Sequence, residues 1–173
     1  MVGQAATAIA RWRGADAIIA GRRKPDGTEQ FIDTTSSDIR EAVLELTDGR
    51  GADLVLDTVG GALFEPALRS LRYDGRMVGL HGGADPIQLD LNEIYNRQLH
   101  VTGLATVFYD GAHVARIFDQ FRALFDRGLL APPAVKTWPL ENSAEAYQTV
   151  LDGSAGIKQV LVPIGGGAYG GSR

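Results

Sequence analysis

The chain has 173 residues, 45% of them hydrophobic and 22% charged, with a net charge of −4 at pH 7. That is ordinary for a globular protein, and the length suits one domain with a core of its own. The acidic balance argues against nucleic acid as the main partner, because phosphate binding wants a basic face. Cysteine is absent, which excludes disulfides, thiolate metal ligands and a cysteine nucleophile. No apolar run reaches the roughly 20 residues of a membrane span, so no membrane partner is expected and the cytoplasm is the expected compartment. The histidines His81, His100 and His113 are scattered without ligand spacing, and no metal site is expected.

Val2, Ala5, Ala6, Ile9 and Ala10 fall at helical spacing, which predicts a helix over 2–12 with one buried face, closed by Gly14. Ala17–Ala20 is a short apolar run and reads as a strand. A basic loop, GRRKPDGTEQ, leads to a second short strand at Gln30–Asp33. Asp38, with Glu41 three residues later, has the spacing of a capping box ahead of a helix that carries Ile39, Ala42, Val43 and Leu46 and stops at Gly49. Asp53–Val59 is apolar at both parities and bounded by glycines, as expected of a parallel strand covered by helices on each side. A helix through Leu63, Ala67, Leu68 and Leu71 follows, then strands at Arg76–Leu80 and Leu99–Leu104.

Val114, Ile117, Phe118, Phe121, Leu124 and Phe125 mark a further helix, and the spacing of its phenylalanines predicts a place in the core. A strand at Val135–Pro139, a helix near Ser143–Leu151 and a last strand at Gln159–Val162 complete the pattern. The tail, 164–173, is glycine-rich and expected to be disordered. No internal repeat is present. Strands alternating with helices predict an α/β fold with a largely parallel sheet.

Such sheets bind ligands at the carboxyl ends of their strands. Those ends are Gly21-Arg22-Arg23-Lys24, Thr58-Val59-Gly60-Gly61, His81-Gly82-Gly83 and Leu104-Ala105-Thr106. Glycine pairs in two of them let a backbone approach a bulky ligand. Asp57, at the end of its strand, is expected to cap the turn that follows. No GxSxG, no Ser-His-Asp arrangement and no framed pair of carboxylates marks a catalytic constellation.

Four stretches carry a resemblance: VGQAATAIA, LTDGRGADLVLDTVGG, ALRSLRYDGRMVGLHG and GSAGIKQVLVP. In this order and spacing they resemble the cofactor-binding half of the medium-chain dehydrogenase/reductase superfamily, most closely its zinc-free quinone oxidoreductases. The likeness covers nearly the whole chain to Pro163. It implies a Rossmann-like parallel sheet with helices on both faces over 1–163. Residues 129–163 would be the segment that returns to the catalytic domain in relatives. The first strand of the 3-2-1-4-5-6 order would be missing, leaving the sheet incomplete at its N-terminus.

The resemblance also implies a site. Val2 and Gly3 would end the glycine-rich turn, with Gly3 allowing close helix–strand packing beside the pyrophosphate. Arg22, Arg23 and Lys24 stand where NAD-dependent sites carry an acid for the ribose 2′-hydroxyl, and cations there suit a 2′-phosphate. The expected cofactor is therefore NADP(H). Thr34 stands where relatives often place an aromatic against the adenine. Thr58, Val59, Gly60, His81, Gly82 and Gly83 would line adenosine and the nicotinamide ribose. Leu104 and Ala105 would offer backbone groups to the carboxamide.

The implied reaction is hydride transfer from NADPH to a quinone or an activated carbonyl or alkene, with a small-molecule substrate. The alternative is a non-catalytic Rossmann-like binding or oligomerising module. In relatives a strand like Leu99–Leu104 is a sheet edge that pairs with its twin. A homodimer is therefore expected, with the strands at 135–139 and 159–162 rearranged or swapped to fill the gap in the sheet.

Overall fold

A computed structural model describes residues 2–25, 27–80, 86–153 and 156–163. The expected turn at His81, Gly82 and Gly83 and the expected disordered tail lie outside the described residues. The chain divides into two compact units, Val2–Phe118 and a second from Asp119 onward.

The first unit opens with α1 (Val2–Trp12) and continues through β1 (Ile19–Gly21) and β2 (Phe31–Asp33). The strands β1 and β2 pair in parallel, Ile19 opposite Phe31 and Gly21 opposite Asp33. Then comes α2 (Ile39–Leu46), whose first turn is capped as the spacing predicts: the Asp38 carboxylate accepts the Glu41 N–H at 2.9 Å. Ile39 and Val43 of this helix close over Ile32, with Ile18, Ala52 and Leu63 packed around them.

A three-stranded parallel sheet follows, in the order β3 (Ala52–Asp57), β4 (Leu71–Gly79), β5 (His100–Gly103). Between its strands lie α3 (Phe64–Arg69) and α4 (Leu91–Arg97). Phe64, Leu68, Leu71, Met77 and Leu99 form the core on one face, with Val55 and Ile94 against them. Met77 and Leu71 are 0% and 1% exposed. At about 25 cal/mol per Å² of apolar surface, burying such side chains contributes about 1.5–3 kcal/mol each.

Three expectations need correction. Leu54 and Leu56 of β3 point away from that core and are exposed, so the double cover expected for this strand is made on one face only. The apolar face of α1 is half-covered and none of its residues is buried. Leu71 belongs to β4 rather than to the preceding helix. The strand starts early because its register slips: Ala52 faces Leu71, but Leu54 faces Arg76. Asp74, at φ 58°, sits in the extra loop. The strand order is discontinuous, as the missing first strand implies: among the described residues β1 pairs only with β2, and β3 only with β4.

The helix α5 (Gly111–Asp126) runs across the boundary between the units. Its phenylalanines do not form the core the spacing predicts: Phe118 and Phe125 are exposed, and Leu124 is the buried residue. The second unit pairs β6 (Val135–Pro139) with β7 (Lys158–Val162) in parallel around α6 (Ser143–Leu151). Trp138 is buried in β6, its indole N–H donating to Gln159 Oε1 at 2.5 Å and the Lys136 ammonium lying 3.8 Å from the ring centroid.

Candidate functional site

Two groups of the predicted residues come together, each at the carboxyl end of one sheet. In the three-stranded sheet, Asp57 and Gly79 are register partners, and so are Gly79 and Gly103. The backbone ladder continues one step past the strands. The Leu80 N–H donates to Asp57 O at 2.8 Å and the Leu104 N–H to Gly79 O at 3.0 Å. Asp57, Leu80 and Leu104 therefore end their strands side by side at the carboxyl end of the sheet, where the turns Thr58-Val59-Gly60 and Leu104-Ala105 begin.

The first of these turns is set by Asp57. Its Oδ1 accepts the N–H of Val59 at 2.9 Å and that of Gly60 at 2.8 Å. The carboxylate is 8% exposed, and charge-assisted bonds shielded from water are the stronger kind. Gly60 takes φ 70°, ψ −155°, a region open in practice to glycine alone. The expected capping role of Asp57 is what the structure shows. Val59 is exposed on the turn and Thr58 half-buried. Leu104 and Ala105 are exposed.

The second group lies at the end of the β1–β2 pair. Arg22, Arg23 and Lys24 follow β1 directly and are exposed. Thr34 is half-buried beside them, its N–H bonded to Gly21 O at 3.1 Å. The carboxylate of Asp33 accepts the hydroxyl and the N–H of Thr35 at 2.7 and 2.9 Å. The Thr35 hydroxyl, with the Thr35 N–H second, holds the Asp33 carboxyl below the usual carboxylate range.

Val2 and Gly3 form the first turn of α1, where Thr7 Oγ1 donates to Gly3 O at 2.9 Å. A Cβ added at Gly3 would meet nothing within 4 Å. No described residue lies close enough to Gly3 to make the helix–strand packing expected there.

One feature escaped the sequence reading. A cavity of about 710 Å³ opens beside Gly61, between α3 and the segment Pro86–Asp90, with Glu65, Arg69 and Glu93 on its walls. Arg69 bonds Glu65 at 2.9 Å and Arg97 pairs with Glu93. Asp90 caps α4 by accepting the Asn92 N–H at 2.9 Å. The spacing of Asp90 and Glu93 repeats that of Asp38 and Glu41, and would have marked this helix start.

The profile of the zinc-binding dehydrogenase family matches residues 2–122. The chain belongs to that family, within the medium-chain dehydrogenase/reductase superfamily. It is 30% identical over 145 residues to a quinone oxidoreductase-like protein 2 homolog of Nematostella vectensis, covering 78% of this chain and 38% of that one. It is 30% identical over 128 residues to a 2-haloacrylate reductase of a Burkholderia species, covering 70% of this chain and 38% of that enzyme. Among solved structures it matches a quinone oxidoreductase of Pseudomonas syringae pv. Tomato DC3000, with a TM-score of 0.76 at 22% identity. That match covers 91% of this chain and 52% of the other. The chain thus spans about two-fifths to a half of the relatives' length.

The name of the zinc-binding dehydrogenase family raises the question of zinc. The sequence has no cysteine, and the described residues gather no group of three side chains able to hold a metal ion. The donor set does not fit zinc, and no step of the chemistry is derived through it. Among the described residues no helix is long and apolar enough to cross a membrane.

Proposed function

We propose that this chain is the cofactor-binding part of an NADPH-dependent oxidoreductase. The whole protein would transfer hydride from the nicotinamide to a quinone or an activated carbonyl or alkene. The observation that carries the reading is the alignment of Asp57, Gly79 and Gly103, which brings three strand ends together at the carboxyl end of a parallel sheet, where such sheets take their ligands. The names of the two relatives, a quinone oxidoreductase-like protein and a 2-haloacrylate reductase, support hydride transfer to a conjugated acceptor.

The residues proposed for the cofactor are the predicted ones at the described strand ends. Arg22, Arg23 and Lys24 would meet the 2′-phosphate and Thr34 would lie by the adenine. Thr58, Val59 and Gly60 would lie along the riboses, with Leu104 and Ala105 at the carboxamide. The nicotinamide supplies the hydride when bound. The chain's own residues orient the dinucleotide and keep its groups apart from water. No residue is assigned a proton-transfer role.

A second reading, a binding or oligomerising module without catalysis, is favoured by the open surroundings of Gly3 and by the edges of β1 and β3 that no described residue pairs. In both readings we propose a homodimer through β5. Among the described residues that strand pairs on one side only, and all its residues are exposed. A free edge of this kind invites pairing.

Calorimetric titration with NADPH and NADH, alongside NADPH oxidation with a panel of quinones, tests the reading. Tighter binding of NADPH supports it, and binding of neither dinucleotide overturns it. Binding without turnover by the full-length protein selects the module.

A further inference from the structure

We propose that Asp57 is a positioning residue for the dinucleotide: its Oδ1 holds the Val59–Gly60 turn in a backbone geometry that leaves Gly61 open to a ligand. The proposal rests on the nicotinamide-dinucleotide reading and deepens it at one residue.

The argument starts from the turn. Gly60 occupies a backbone region that only glycine reaches without strain, and as a glycine it could as readily take others. Two bonds impose it, Val59 N–H and Gly60 N–H to Asp57 Oδ1 at 2.9 and 2.8 Å. Gly60 itself is buried, so without the carboxylate its N–H would have no water in exchange. Gly61 follows at φ 60°, exposed, and a Cβ there would meet nothing within 4 Å. The turn thus pairs a fixed inner residue with an open outer one, which borders the 710 Å³ cavity.

The strand does not need the carboxylate. Asp57 joins the sheet through its main chain, with Leu80 N–H on its carbonyl at 2.8 Å and a register partner in Gly79. Side chain and main chain therefore do separate things, and a substitution can remove one without the other. Asp57 Oδ2 accepts no hydrogen bond among the described residues. An asparagine would keep the accepting oxygen and place its NH₂ where no bond is lost.

The experiment compares the unaltered chain with Asp57→Ala and Asp57→Asn by amide hydrogen exchange and by NADPH fluorescence titration. Asp57→Ala is expected to speed exchange at Val59 and Gly60 by about tenfold or more, with Met77 and Val101 unchanged, and to weaken NADPH binding by about tenfold or more. Asp57→Asn is expected to restore both to within about threefold.

NADPH affinity unaltered in Asp57→Ala overturns the proposal. So does an asparagine variant as weak as the alanine one. Faster exchange throughout the sheet in Asp57→Ala also overturns it, by making the role merely structural. An unaltered chain that binds no NADPH overturns the dinucleotide reading and this proposal together. Exchange confined to Val59 and Gly60 would still show the turn clamp, which separates that failure from a failure of Asp57 to hold the turn.

Discussion

The Thr34 N–H reaches the Gly21 carbonyl at 3.1 Å, one step beyond the last paired residues of β1 and β2. Gly21 is the residue before Arg22, so the start of the basic loop is anchored while its cations stay exposed. This geometry motivates the cofactor prediction. NADPH should bind tighter than NADH, since each charged hydrogen bond to a 2′-phosphate contributes about 1.5–3 kcal/mol before screening. Arg22→Asp combined with Arg23→Ser should erase the preference. Calorimetry giving equal affinities for the two dinucleotides in the unaltered chain would contradict it.

Asp53 gives a pH prediction. Its carboxylate bonds Arg50 at 2.6 Å and Arg72 at 2.5 Å, and these bonds, Arg50 first, hold its pKa below the usual value. The folded value is depressed, so the stabilisation is present above the unfolded value near pH 3.9 and is lost as pH falls through the folded value. The side chain is 58% exposed, which limits the effect to about 1 kcal/mol or less. Asp53→Asn should lower the melting temperature slightly near neutral pH and leave it unchanged once the carboxylate is protonated in both states. A deficit that persists in strong acid would refute the assignment.

Gly51 gives a stability prediction. It sits at φ 84°, and an added Cβ would stand 2.8 Å from Ser70 O and 2.9 Å from Arg72 N, both backbone atoms. Gly49 has a similar φ of 79° with nothing within 4 Å. Both alanine variants carry the left-handed penalty of about 1–2 kcal/mol. Only Gly51→Ala should add a collision, which must push β4 from β3. Urea titration should place Gly51→Ala well below Gly49→Ala, and equal midpoints would show that the contact is not made.

The proposed dimer is tested at Val101, in β5. The Leu104 N–H turns to Gly79 O of β4, and successive residues of a strand bond to opposite sides, so the Val101 N–H faces the free edge and proline there removes a donor from it. Light scattering should give a dimer for the unaltered chain at micromolar concentration and a monomer for Val101→Pro. A monomeric unaltered chain, or a dimer indifferent to the proline, would rule out this edge.

The sequence made the elements legible wherever local chemistry decides them. Asp38 with Glu41 marks the start of α2, and alternation of apolar and turn residues places all seven strands. What it could not show depends on what lies opposite. Leu54 and Leu56 read as doubly covered because apolar residues at both parities normally are. Here the cover on one face is not among the described residues. Phe118 misleads in the same way, since helical spacing names a face and not its partner. The site was legible as strand ends and as the Asp57 cap. The cavity beside Gly61 was not, because Pro86–Asp90 becomes a wall only once α3 stands opposite.

The two tryptophans of the chain report on different parts of it. Trp12 ends α1 in the first unit and is 41% exposed, while Trp138 lies at 8% in β6 of the second. An exposed indole emits to the red and shows little change when the chain unfolds. A fall in the blue emission on heating would therefore follow the opening of β6 and β7. The sheet that holds Asp57 has no indole of its own, and its melting has to be followed by a backbone signal such as circular dichroism.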